Sequence, residues 1–205
     1  TMKPNHKGSA QLFKNPLLEK MTRTHIAIPI TIFLVIAIGL IYYGITHSFI
    51  SILEAIGFFF LGWFIFTLIE YLAHRYVFHM DTGTPFKARL QYLFHGNHHE
   101  YPKDKKRLAM PPVVSILYAS AFFFIFKVIF GTFVFGVVAG VLFGYAMYLL
   151  VHYVVHAYPP PKNFLKQLWI HHSIHHYKDP EAAFGVSSPL WDYILGTMPK
   201  RSNSR

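Results

Sequence analysis

The chain has no cysteine in its 205 residues. That excludes disulfides, iron–sulfur ligation and thiolate-bound haem. No Gly-rich dinucleotide fingerprint occurs, so a built-in flavin or nicotinamide site is not expected. Acidic residues are scarce: nine Asp and Glu stand against nineteen Lys and Arg, for a formal net charge of +10. An excess of this size invites a nucleic-acid reading. The chain is also 53% hydrophobic, however, and its basic residues border the apolar runs. Contact with anionic lipid head groups is the expectation, and no nucleic-acid partner is expected.

The apolar residues fall into four runs. Ile26 to Thr46 is uncharged, Phe49 to Ala73 contains Glu54 and Glu70, Val113 to Phe130 is interrupted by Lys127, and Thr132 to Val151 is uncharged. A helix needs about 20 residues to cross a bilayer core, so each run reads as a span. The first is too long for the apolar core of a signal peptide and has no clear cleavage site. Gly44 to Ser48 and Gly131 make tight turns without Lys or Arg, whereas Lys7, Lys14, Lys20 and Arg23, then Lys103 to Arg107, then Lys162, Lys166 and Lys178 lie on the other side. The positive-inside rule puts both termini and the central loop in the cytosol. The expected organisation is a cytosolic segment over residues 1–25, one membrane-embedded domain over 26–200 (spans about 26–46, 49–73, 113–130 and 132–151), and a flexible tail over 201–205. Pro111 and Pro112 should start the third helix. Gly136, Gly140 and Gly144 form a small-residue stripe suited to close helix packing.

Histidine is abundant. Ten of the fourteen sit in four clusters: His74 and His79; His95, His98 and His99; His152 and His156; His172, His175 and His176. Residues three and four apart share a helix face, so His152 and His156 can reach one ion, and each HxxHH cluster can bridge two. His74 and His79 are five apart, about 140° around an ideal helix. They should therefore face different ions, unless the helix ends between them. His171 breaks the spacing of its cluster and reads as a non-ligand. His6, His25 and His47 lie outside the pattern, His47 on the opposite side of the membrane. Ten imidazoles exceed one tetrahedral zinc site and suit two ions with five each. Imidazole accepts both iron and zinc, so the ligand set leaves the metal open, and zinc is able to take the place of a working iron in purified protein.

These motifs resemble the membrane fatty acid hydroxylase superfamily, and within it the fatty acid 2-hydroxylases. The likeness runs from about Glu70 to Pro199. It rests on Glu70-Tyr-Leu-Ala-His74-Arg-Tyr-Val-Phe-His79-Met80, on His95-Gly-Asn-His98-His99 followed by Pro102, Asp104, Arg107-Leu108 and Pro111-Pro112, and on His152-Tyr-Val-Val-His156. The last block is His171-His172-Ser-Ile-His175-His176 with Phe184-Gly185-Val186-Ser187 and Leu190-Trp191-Asp192-Tyr193. The resemblance implies an all-α fold: four transmembrane helices in two hairpins, with a cytosolic helical cap holding a histidine-rich dimetal centre. It implies two iron ions, with dioxygen as co-substrate for hydroxylation at C2 of a long acyl chain, free or lipid-linked. Many eukaryotic relatives carry a cytochrome b5 domain at the N-terminus. Here Thr1 to His25 precede the first span, so a separate electron donor is expected, such as cytochrome b5 or a ferredoxin with its reductase. The endoplasmic reticulum membrane would house a eukaryotic member and the cytoplasmic membrane a bacterial one. Tyr145 and Tyr148 are candidates to line the substrate path. Glu70, Asp104 and Asp179 are candidates to orient the ligand imidazoles. The alternatives are a related diiron lipid desaturase, a sterol or carotenoid hydroxylase, and a haem electron carrier.

Overall fold

The protein is described by a computed structural model over residues 4–200; the expected tail at 201–205 lies outside the described residues. Among them there is no strand, so the fold is all-α. It resolves into two compact units. The apolar unit comprises Gln11–Leu68 and Lys105–Leu150. The histidine unit comprises the residues up to Ala10, Ile69–Asp104, and Val151 onward.

In the apolar unit, α1 (Pro16–Met21) is short and starts on Asn15, whose side chain accepts from the amides of Leu17 and Leu18, with Pro16 in the first turn. Glu19 in α1 accepts from the amides of Leu12 and Phe13 and pairs with Arg107. Helix α2 (Ala27–Thr46) ends at His47, where the Gly44 carbonyl collects the amides of Phe49 and Ile50 and Ser48 turns left-handed at φ 56°. The next apolar run does not become helical at Phe49. Helix α3 (Ile52–Leu72) begins behind a reciprocal cap: the Ser51 amide donates to Glu54, and the Glu54 amide donates to the Ser51 hydroxyl. Glu54 is thus a capping residue at the helix start rather than a charge deep in a span. Helix α6 (Pro112–Phe130) begins on its proline pair, as expected, and packs on α2. Gly131 at φ 57° then breaks the helix, a 3₁₀ turn follows over Gly131–Phe133, and α7 (Val134–Ala157) leads away.

Three segments are long and apolar enough to cross a membrane: Ala27–Thr46, Ile52–Phe78 and Pro112–Ala157, the last containing the Gly131 break. Their side chains are exposed where a soluble protein would bury them, with Val128 88%, Leu53 80% and Ile38 70% accessible. That surface belongs in lipid, and it marks an integral membrane protein.

Inside lipid, helices gain little from burying apolar area and associate by close packing. The glycine stripe of α7 does this against α3. A Cβ on Gly140 would lie 1.9 Å from the Phe59 carbonyl oxygen, and one on Gly62 would lie 2.0 Å from that of Val137. No side-chain adjustment relieves a clash with backbone. Gly140→Ala should therefore push the helices apart and lower the melting temperature in detergent by several degrees, in line with the 1–3 kcal/mol, roughly, of an overpacked core. Gly57→Ala, on α3 with nothing within 4 Å, is the control and should melt like the parent; equal loss in both would refute the packing argument.

Candidate metal centre

The histidine unit draws its imidazoles from four short helical stretches. His74 and His79 lie where α3 passes into a π-helical turn (Ala73–Phe78). Helix α4 (Pro85–Gln91), capped by Thr84, runs into a second π turn (Tyr92–Gly96) and then α5 (Asn97–Glu100), which together carry His95, His98 and His99. His152 and His156 occupy the last turns of α7, and α8 (Lys166–Tyr177) carries His172, His175 and His176.

The structure gathers these ten into two sets of five. His74, His79, His95, His99 and His175 form one; His98, His152, His156, His172 and His176 form the other. Within each set the potential ligand atoms lie within 4.8 Å of one another. The two HxxHH motifs are used crosswise. Each sends its i, i+4 pair to one set and its middle residue to the other. His171 stands outside both sets and pairs with Asp192 at 2.9 Å. His47 stacks on Tyr43 at the end of α2.

One expectation from spacing is corrected. His74 and His79 face the same set, not different ones. The cause is the π turn: the His79 amide donates to the His74 carbonyl at 3.1 Å, an i→i+5 bond that stacks residues five apart. The imidazole centroids are 5.2 Å apart as a result.

The ring nitrogens converge at short range. His95 Nε2 is 3.0 Å from Nε2 of both His74 and His99, and His175 Nε2 is 3.0 Å from that of His79. In the other set, His98 Nε2 is 2.9 Å from His152 and 3.1 Å from His176, and His156 is 2.8 Å from His172. Metal–imidazole bonds of about 2.0–2.1 Å put neighbouring nitrogens about 3.0 Å apart at right angles and about 3.4 Å apart at the tetrahedral angle. The observed spacing matches right angles. Two tautomers are also fixed. The Nδ1–H of His74 donates to the Phe184 carbonyl at 2.5 Å and that of His175 to the Ala182 carbonyl at 2.9 Å, which leaves each Nε2 as a lone pair aimed at its neighbours. Clustered lone pairs repel unless a cation lies among them, so the donor set fits a metal ion in each group.

Protonation does not compete for these lone pairs near neutral pH. Burial, reinforced by neighbouring imidazoles, holds His95, His98, His172 and His176 well below the ordinary histidine range. Burial likewise pushes His79 down to about 4 and, with its neighbours, His175 to about 3.

Comparison with known proteins identifies the family. Residues 59–197 match the fatty acid hydroxylase family. The chain belongs to that family. It is 36% identical over 205 residues to the ceramide very long chain fatty acid hydroxylase scs7 of Schizosaccharomyces pombe, covering 95% of this chain and 57% of that protein. It is 40% identical over 146 residues to human fatty acid 2-hydroxylase, covering 69% of this chain and 39% of that one. Among solved structures it resembles full-length scs7p, of which only the hydroxylase domain is visible, with a TM-score of 0.88 and 34% identity over 97% of this chain and 76% of that one. The chain thus spans about half the length of the curated relatives it matches.

What orients the histidines is visible only in the fold. The acceptors on His74 and His175 are backbone carbonyls of one strap, Ala182 to Ser187. Asp192, fully buried in α9 (Leu190–Ile194), fastens it by accepting from the amides of Phe184 and Gly185 at 2.9 and 2.7 Å. Burial alone would raise the Asp192 carboxyl, but hydrogen bonds from His171, Thr197 and these amides outweigh it and hold the group below the usual carboxylate range. Glu70, a candidate from sequence, accepts from the amides of Val186 and Ser187 at 2.8 Å and from the Ser187 hydroxyl. It therefore acts on the strap. Asp104 accepts from the Ser9 hydroxyl, and Asp179 from the Glu181 amide. Sequence reasoning missed Asp192 and both carbonyls; the Phe184–Ser187 and Leu190–Tyr193 blocks contain Phe184 and Asp192, and nothing in the sequence marked the Ala182 carbonyl. Ala183 adopts φ 60°, a left-handed conformation costing about 1–2 kcal/mol, and it is held there by its amide, which donates to the Thr197 carbonyl at 3.0 Å. Tyr145 and Tyr148, the candidate substrate residues, belong to the apolar unit, in an aromatic group with Phe33 and Phe66.

The imidazole shifts give a signed pH dependence for the metal-free protein. Folded-state values lie below the ordinary histidine value, so between about pH 6.5 and 4 the unfolded chain takes up protons that the folded chain refuses. Melting temperature after chelation should be flat above pH 7 and fall steadily from pH 6.5 to 5. A rise over that interval would contradict burial of neutral imidazoles.

Proposed function

We propose that the chain is a membrane fatty acid 2-hydroxylase, acting on a long acyl chain, free or lipid-linked. The observation that carries this is the pair of crossed five-imidazole sets in a member of a family whose similar relatives are named fatty acid 2-hydroxylase and ceramide fatty acid hydroxylase. The ten histidines would hold two iron ions. When bound, the pair supplies the activation of dioxygen, and five imidazoles per ion leave coordination capacity for it. One oxygen atom enters the C2–H bond and the other leaves as water, using two electrons and two protons. A redox protein such as cytochrome b5, or a ferredoxin with its reductase, is the proposed donor.

The remaining work falls to the chain. Burial of His74, His95, His98, His152, His172, His175 and His176 keeps bulk water from the reacting centre. The Phe184 and Ala182 carbonyls hold two rings in their ligand tautomer. Tyr145 and Tyr148 are proposed to line the acyl path; support comes from their half-buried place in an aromatic wall, with Leu149 buried beside them. Four spans are proposed, because the Gly131 turn divides the 46-residue segment into helices of 19 and 24 residues, each near the length of a bilayer core. The basic residues favour cytosolic termini. Haem ligation fits poorly: two axial imidazoles must sit on opposite faces of a porphyrin, whereas these nitrogens cluster at about 3 Å.

Expression in cells lacking a 2-hydroxylase should produce 2-hydroxy acyl lipids, seen by mass spectrometry as a gain of one oxygen placed at C2. His98→Ala and His175→Ala should each reduce that product at least 100-fold. Undiminished product, or oxygen at another carbon or on a sterol, would overturn the assignment.

A further inference from the structure

The two histidine sets differ in what stands behind them. In the His74 set, two rings lean on carbonyls of the Ala182–Ser187 strap. In the His98 set, the Nδ1 atoms of His98, His172 and His176 are buried without a hydrogen-bond partner. A ligand imidazole whose second nitrogen donates to a carbonyl is a stronger base, and its ring is already oriented for the metal. One set has this support at two rings, and for three rings of the other it is missing.

The strap depends on one carboxylate. Asp192 Oδ1 accepts from the Phe184 amide and the Thr197 hydroxyl, and Oδ2 accepts from the Gly185 amide and His171 Nε2. Thr197 continues to the Tyr71 hydroxyl, which Arg75 also holds. Gly185 admits the carboxylate because a Cβ there would lie 2.8 Å from Asp192 Oδ2 and 2.1 Å from the Ser188 carbonyl. Asparagine cannot replace Asp192: its amide group would face donors with donors on one side.

We propose that the two metal positions are unequal, the His74–His79–His95–His99–His175 position holding its ion more tightly, and that Asp192 is the positioning residue that sets the difference through the strap. This rests on the reading that the ten histidines hold two ions.

The test uses the full chain in detergent, loaded with zinc and challenged with excess chelator, with retained zinc measured by mass spectrometry. His156→Ala leaves the His74 set whole; His79→Ala leaves the His98 set whole. The damaged set keeps four imidazoles and releases its zinc first; the slower phase, from the intact set, should be about 10- to 100-fold slower in His156→Ala than in His79→Ala, the usual size of an outer-shell effect. Asp192→Asn should speed loss from the His156→Ala protein by a similar factor and leave the His79→Ala rate unchanged. A merely structural role would loosen both. If Asp192→Asn does not fold, Ser187→Ala, which removes one bond to Glu70, should give a smaller acceleration confined to the same background, and the comparison of the two histidine variants still stands. Equal or reversed rates, or equal effects in both backgrounds, would overturn the inequality alone. Wild-type protein that takes up no zinc would overturn the two-ion reading and the inequality with it.

Discussion

Ten imidazole lone pairs brought to within about 3 Å of their neighbours are unstable without cations between them, and much of the histidine unit is built to hold that arrangement. Crossing is what makes it possible. An HxxHH cluster presents three rings on one helical face, too many in a row for one compact ion site. Sending His95 and His99 one way and His98 the other, while His172 and His176 go opposite to His175, divides the rings evenly. Each set is then completed by a pair from a third helical stretch.

The backbone carries the geometry. An unbroken α-helix would swing His79 away from His74; the π turn at Ala73–Phe78 spends one extra residue to restack them. The strap likewise offers main-chain carbonyls to His74 and His175 where side-chain acids would have been the simpler guess. Carbonyls remain neutral, so they orient the rings without adding charge to a buried site. The charge sits one hydrogen bond further back, on Asp192, where it is met by two amides, the Thr197 hydroxyl and His171.

Much of this was legible in the sequence, and the limits have physical causes. The four helices and their proline and glycine punctuation follow from composition and propensity, which are local. The division into five and five follows from counting donors, and the glycine stripe on α7 from its spacing. The partnership of His74 with His79 was not legible, because ideal helical periodicity has no term for a π turn. Nor was the role of Glu54, which composition places in a span and the Ser51 cap places at its start. Asp192 and the Phe184 and Ala182 carbonyls escaped for a different reason. The contact of His74 with Phe184 joins residues 110 apart, the others depend on how an irregular strap folds back on α8 and α9, which periodicity does not describe, and a carbonyl acceptor leaves no trace in residue type.

The crossed division of ten histidines between two ions is directly observable. The most direct measurement is anomalous diffraction, at the metal's absorption edge, from crystals of the metal-loaded chain. Crossed sets should give two peaks, one bonded at about 2.0–2.2 Å to Nε2 of His74, His79, His95, His99 and His175, and the other to that of His98, His152, His156, His172 and His176. A single peak, or a peak that draws His98 and His99 to the same ion, would contradict that division.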